Sequence, residues 1–101
     1  MVDRVIYLPE ADADVAEAYE WYEKREPGLG DDFLRCLDAC VLTIQRHPAI
    51  FPMAGNRFRH APLRRFPFEV FYILKEDCIN ISCVFHSSQD PKRWQERLGI
   101  Y

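Results

Sequence analysis

Apolar residues along this chain recur with two periods, about two residues and about 3.6, and the switches between them mark its elements. "VDRVIYLP" is a short β-rich run carrying Val5 and Tyr7, and Pro9 closes it as a first strand. Pro9 also suits the first turn of a helix, where Glu10, Asp12 and Asp14 meet the positive end of the backbone dipole. Ala11, Val15, Ala18 and Tyr22 then form one stripe at helical spacing, with Glu17, Glu20 and Glu23 largely off it. Lys24 and Arg25 fall in the last turn and Pro27-Gly28 ends the helix. Asp31 and Asp32 open a second helix whose stripe is Phe33, Leu37, Val41 and Ile44, with Leu34 and Cys40 alongside. It stops at His47, because the residue before Pro48 is pushed out of the helical region. So short a connection predicts an antiparallel helical hairpin.

Beyond the turn-rich "PAIFPMAGN" the period returns to two. A short strand is predicted over Arg57–Ala61 and a long one over Phe66–Lys75, with Phe68, Val70, Tyr72 and Leu74 on one face and Glu69, Phe71 and Ile73 on the other. "KED" is a tight turn into "CINISCVFH", where Ile79, Ile81, Cys83 and Phe85 alternate with Cys78, Asn80, Ser82, Val84 and His86. Asp90 caps, and Pro91 starts, a last short helix with Trp94 and Leu98 one turn apart. The expected fold is α+β, in the order β-α-α-β-β-β-α, a small and mainly antiparallel sheet packed against a helical hairpin. Residues 1–101 are expected to make one domain.

Composition narrows the class. The chain is 49% hydrophobic and no apolar run approaches the ~20 residues a membrane helix needs. Its acidic, proline-containing start is unlike a signal peptide. Cys36, Cys40, Cys78 and Cys83 include no C-x-x-C pair, and the histidines are scattered, so reduced thiols in a cytoplasmic protein are expected and a metal site is not. Sparse glycine excludes a phosphate-binding loop. Net charge is −3, yet residues 1–50 carry eleven acids against five Lys/Arg and residues 51–101 five against eight. The weakly acidic whole is no signature of sequence-specific DNA binding, while the basic second half permits an anionic or acidic partner on one face.

Arg57, Arg59, His60, Arg64 and Arg65 form the densest polar cluster. They read either as a charged strand edge that resists aggregation or as a surface for carboxylate or phosphate. Lys92, Arg93 and Arg97 add charge in the tail. His86 ends the last strand, as a structural or capping residue or as a general base; no nucleophile elbow surrounds Ser87 or Ser88. Trp21 and Trp94 read as partly buried anchors, and the acidic face of the first helix either as a solvated face or as an acidic interaction surface.

Taken together, "ADADVAEAYEWYEKREPGLGDDFLRCLDACVLTIQRHPAIFP" and "LRRFPFEVFYILKEDCINISCVFHSSQDPKRW" resemble the RelE/ParE superfamily of type II toxin–antitoxin toxins, of the plasmid stabilisation type, over nearly the whole chain. The resemblance implies a compact toxin that uses no cofactor and is wrapped by a cognate antitoxin. RelE-like members cleave mRNA in the ribosome with basic residues and a tyrosine, without metal, whereas ParE-like members bind and poison DNA gyrase. Here Glu69 follows Phe68 where the nucleases carry arginine, Ser87, Ser88 and Gln89 replace a basic residue, and Trp94 falls near the position of their tyrosine. A carboxylate placed where phosphate charge must be stabilised points to the ParE-like branch. Gln89 departs from that branch too, standing where many of its members have arginine three residues after the histidine. An attenuated member that only binds antitoxin is the remaining alternative. The expected partner-binding residues are Arg57, Arg59, Arg64, Arg65, His86, Arg93, Trp94 and Arg97; a nuclease would use Arg59, Arg65 and His86. The antitoxin is expected to lie across the helical hairpin and along a sheet edge, covering the basic face.

Overall fold

A computed structural model describes residues 1–100; Tyr101, the last residue of the expected domain, lies outside them. The elements are β1 (Arg4–Tyr7), α1 (Pro9–Arg25), α2 (Leu29–Arg46), β2 (Met53–Ala54), β3 (Phe58–Pro62), β4 (Phe68–Lys75), β5 (Cys78–His86) and α3 (Pro91–Leu98). The strands form one five-stranded sheet in the order β1-β5-β4-β3-β2. The fold is α+β, with the helical hairpin on one face.

Several details refine the pattern read in the sequence. β2, only two residues long, is an extra strand paired antiparallel to β3. β1 pairs with β5 in parallel while the other three pairings are antiparallel, so the sheet is mainly antiparallel as expected, with one parallel edge. β4 starts at Phe68 rather than Phe66, since Arg65 takes a left-handed φ of 70° and bends the chain there.

The apolar stripes explain the layering. Phe33, Leu37, Val41 and Ile44 of α2 and Ala11, Ala18 and Tyr22 of α1 bury against Val70, Tyr72, Ile79, Ile81 and Val84. The opposite sheet face holds a second cluster, Phe58, Phe71, Cys83 and Phe85, covered by Trp94 and Leu98 of α3. The Phe71 and Trp94 rings lie 4.8 Å apart. α3 is capped by Asp90, whose side chain accepts from the Lys92 amide at 3.0 Å. The β4–β5 hairpin turns on Glu76 and Asp77, both at positive φ (52° and 55°), the geometry that matches strand twist in a two-residue loop.

Between α1 and α2 the chain reverses at Gly28, with φ 90°. Gly28 has no capping side chain of its own. Glu23 supplies the acceptor instead: its Oε1 takes the Gly28 and Gly30 amides at 3.0 and 2.9 Å, and its Oε2 sits 3.1 Å from the Gly28 amide. A Cβ at Gly30 would lie 2.8 Å from both the Tyr19 ring and the Tyr19 carbonyl oxygen, so only glycine lets the helices approach this closely.

β5 does not alternate throughout. Its register against β4 slips between Phe71, opposite Cys83, and Tyr72, opposite Ile81, leaving Ser82 as an extra residue. Ile79 and Ile81 therefore face the hairpin while Cys83 and Phe85 face α3, and Val84 joins the isoleucines. The single alternating face expected for Ile79, Ile81, Cys83 and Phe85 is corrected accordingly.

Candidate functional site

β1 ends opposite Ile81, so from Ser82 to His86 β5 has only side chains along that edge among the described residues. A groove of about 430 Å³ opens there between α1, the end of β5 and α3. Ala18, Tyr22, Phe68, Val84 and Phe85 contribute apolar surface, and Asp14, Glu17, Trp21, His86, Ser88, Gln89, Arg93 and Arg97 the rest.

Asp14 and Arg97 meet at the groove's inner end. Arg97 Nη1 donates to Asp14 Oδ1 at 2.8 Å, the side chains being 27% and 17% exposed. The free Asp14 oxygen, Oδ2, accepts the Val84 backbone amide at 2.9 Å, and Arg97 Nη2 donates to the Ser82 carbonyl at 3.3 Å. The hydrogen bond to Asp14 raises the Arg97 pKa, holding the guanidinium charged. Cys83, behind them, is pushed up to about 12 by burial and so stays a thiol.

At the outer end His86 Nδ1 takes the Ser88 backbone amide at 3.0 Å and lies 2.7 Å from Ser88 Oγ. An amide N–H can only donate, so Nδ1 is an acceptor and the ring proton sits on Nε2. In that tautomer His86 has a donor at Nε2 and no free ring lone pair, an arrangement unsuited to proton abstraction.

Trp21 lies on the wall, 52% exposed, with the Arg25 guanidinium 4.0 Å from its ring centroid. The expectation of a partly buried anchor holds for Trp94 but not for Trp21, which α1 turns outward. It is a large exposed aromatic beside a strand edge that has side chains, not a strand, as its hydrogen-bond partners.

The basic residues read as one face are dispersed. His86, Arg93 and Arg97 line the groove. Arg59 instead donates to the Phe51 carbonyl at 2.8 Å and secures the loop before β2. Arg65 reaches Asp32 of α2 at 3.1 Å, next to an Arg35–Asp32 pair, and Arg64 is exposed in the same turn. Arg57 lies at the β2–β3 turn beside Leu98 and Ile100, and Trp94 is committed to Phe71. Neither Arg59 nor Arg65 lines the groove that holds His86, so the three groups a nuclease would use do not converge. Glu69 points to the α3 face, 3.4 Å from His60, and its Oε2 is buried without a hydrogen-bond partner among the described residues.

Asp14, Glu17 and Trp21 escaped the sequence reading as site residues. Their steps of three and four residues place them on one helical face beside the apolar stripe, a signal masked by reading that face as solvated. Among the described residues no cluster of three metal-ligating side chains occurs, and no helix is long and apolar enough to cross a membrane.

The family described as the ParE toxin of type II toxin-antitoxin system, parDE, matches residues 5–91. Among solved structures, the chromosomal ParDE TA system from P. aeruginosa contains a chain that superposes with a TM-score of 0.73 at 20% identity, covering 84% of this chain and 96% of that one. None of the curated proteins matches this chain in sequence.

Proposed function

Because the chain belongs to the ParE toxin family of type II toxin–antitoxin systems, we propose that it acts by binding, inhibiting DNA gyrase until a cognate antitoxin occupies its groove. The observation that carries this reading is the family match over residues 5–91, from β1 to the start of α3. The His86 tautomer and the separation of His86 from Arg59 and Arg65 support binding over RNA cleavage. The test is gyrase supercoiling with purified protein, with and without the product of the neighbouring small gene. Loss of supercoiling that the second protein reverses is expected. Unchanged supercoiling at large molar excess overturns the gyrase target, and new mRNA ends in a translation extract would assign the nuclease branch instead.

We infer that the antitoxin segment lies along the part of β5 that has no partner strand and against Trp21, taking over the hydrogen bonds that Asp14 and Arg97 make there, and not over a continuous basic face. Trp21→Ala should then weaken the complex by at least ~2 kcal/mol, as for a central aromatic anchor. Charge reversal at Arg64 and Arg65, expected to cost ~1–3 kcal/mol if those arginines touch the partner, tests whether the segment also crosses the α2 corner. Calorimetric titration of both variants reads the two contacts separately.

A further inference from the structure

Long unpaired strand edges invite pairing with another chain, and this sheet has kept its formal edges short. β1 has four residues and β2 has two. The run without a partner strand lies elsewhere, on β5 from Ser82 to His86, where β1 stops because Pro9 turns the chain into α1; side chains bury it, Ser82 and Val84 being only 8% and 2% exposed. Two features meet there. The extra residue at Ser82 turns successive carbonyls the same way: Ile81 O accepts from the Leu8 amide at 2.9 Å and Ser82 O from Arg97. A regular strand would send them to opposite sides. Asp14 then takes the Val84 amide. One carboxylate and one guanidinium thus reproduce the acceptor and donor that a neighbouring strand would bring, starting where β1 leaves off.

We propose that Asp14 and Arg97 are a latch that holds the free edge of β5 in place of a strand, and that what it keeps out is the same edge of a second copy of this chain. The edge is self-complementary. The Val84 N–H faces away from β4, and by strand geometry the Val84 carbonyl faces the same side. Two antiparallel copies can therefore exchange both hydrogen bonds at Val84, with Ser82 opposite the other copy's His86 in a two-fold arrangement. Trp21 and Phe68, already at the groove, supply apolar surface to such a pair. The latch does not rest on the toxin reading, since it concerns the chain alone.

The test is the full-length Asp14→Ala/Arg97→Ala variant, compared with the unaltered chain by sedimentation and amide exchange over about 10 μM to 1 mM. The unaltered chain should show no concentration-dependent protection at His86. The variant, folded by circular dichroism, should approach twice the mass, with Val84 and His86 amide exchange slowing at least ~tenfold as concentration rises. A folded variant that stays monomeric, or that dimerises without protecting those amides, overturns the latch. Should the double variant not fold, Arg97→Ala, which keeps the Asp14–Val84 bond, is expected to dimerise more weakly with the same protection. If that also fails to fold, the pair is a requirement of the fold and the latch is overturned.

Discussion

Removing the Glu23 carboxylate should cost more than its surface-facing helix position suggests. Its Oε1 accepts two amides, Gly28 and Gly30, that open α2, and Gly30 is buried against Tyr19. In Glu23→Ala the Gly28 amide can turn to water, losing about 1 kcal/mol, while the buried Gly30 amide is left dry at about 1–3 kcal/mol. The sum, about 2–4 kcal/mol, is a large share of the ~5–15 kcal/mol that holds a domain together. It corresponds to a fall in Tm of about 10–25 °C for a chain of this size. Glu23→Gln keeps an oxygen at the Oε1 position and sets an amide against the Gly28 N–H, so a loss of about 1 kcal/mol is expected. Urea unfolding of the three proteins, followed by circular dichroism, orders them. If Glu23→Ala unfolds within ~0.5 kcal/mol of the parent, these amides have other partners and the capping argument is wrong.

The same unfolding assay checks four more expectations. Arg65→Gly should be more stable than Arg65→Ala by about 1 kcal/mol, because both lose the Asp32 contact but only glycine relieves the φ of 70°; the reverse order refutes it. Gly30→Ala should lose about 1–3 kcal/mol, since the new methyl must displace the Tyr19 backbone; a neutral result would mean the hairpin opens freely. Tyr7 and Tyr72 are both raised from 10.0 to about 12, chiefly by burial, so their neutral forms favour the fold: this stability is whole below pH 10 and lost as pH rises from 10 to about 12. Tyr72→Phe should flatten that alkaline loss at the expense of about 1 kcal/mol for the bond to the Pro48 carbonyl, and an unchanged alkaline profile would contradict it. Deleting Ser82 keeps Ile81 opposite Tyr72 and Cys83 opposite Phe71, so the variant should still fold, and a disordered product would show that the extra residue is needed for register.

Whatever was carried by local periodicity could be read before the structure. The α1 and α2 stripes, the prolines that bound them and the Glu76-Asp77 turn are decided within a few residues, where propensity and patterning act together. Ala11, Ala18, Tyr22, Phe33, Leu37, Val41 and Ile44 are accordingly all in the core. The β1–β5 pairing joins residues more than seventy positions apart, and a four-residue strand carries no mark of its partner's direction. Nor does spacing in sequence make a surface: Arg59 and Arg65, six residues apart, bind a loop carbonyl and a helix carboxylate.

The groove was hidden for a sharper reason, which lies in one residue. "NISCVFH" alternates as well with Ser82 in the ladder as out of it, because serine is small enough to be buried at 8% exposure and polar enough to read as outward. Once Ser82 is set aside, Val84 and His86 move to the hairpin face, and the ring centroid of His86 comes to 5.0 Å from that of Phe68. The same slip turns the Ser82 carbonyl toward Arg97 and leaves the Val84 amide for Asp14, residues 83 apart in sequence. A histidine at the end of a strand therefore has its role decided by a break in the strand four residues earlier. With Nδ1 accepting from Ser88, the ring keeps its proton on Nε2 at the rim of the groove that Trp21 walls.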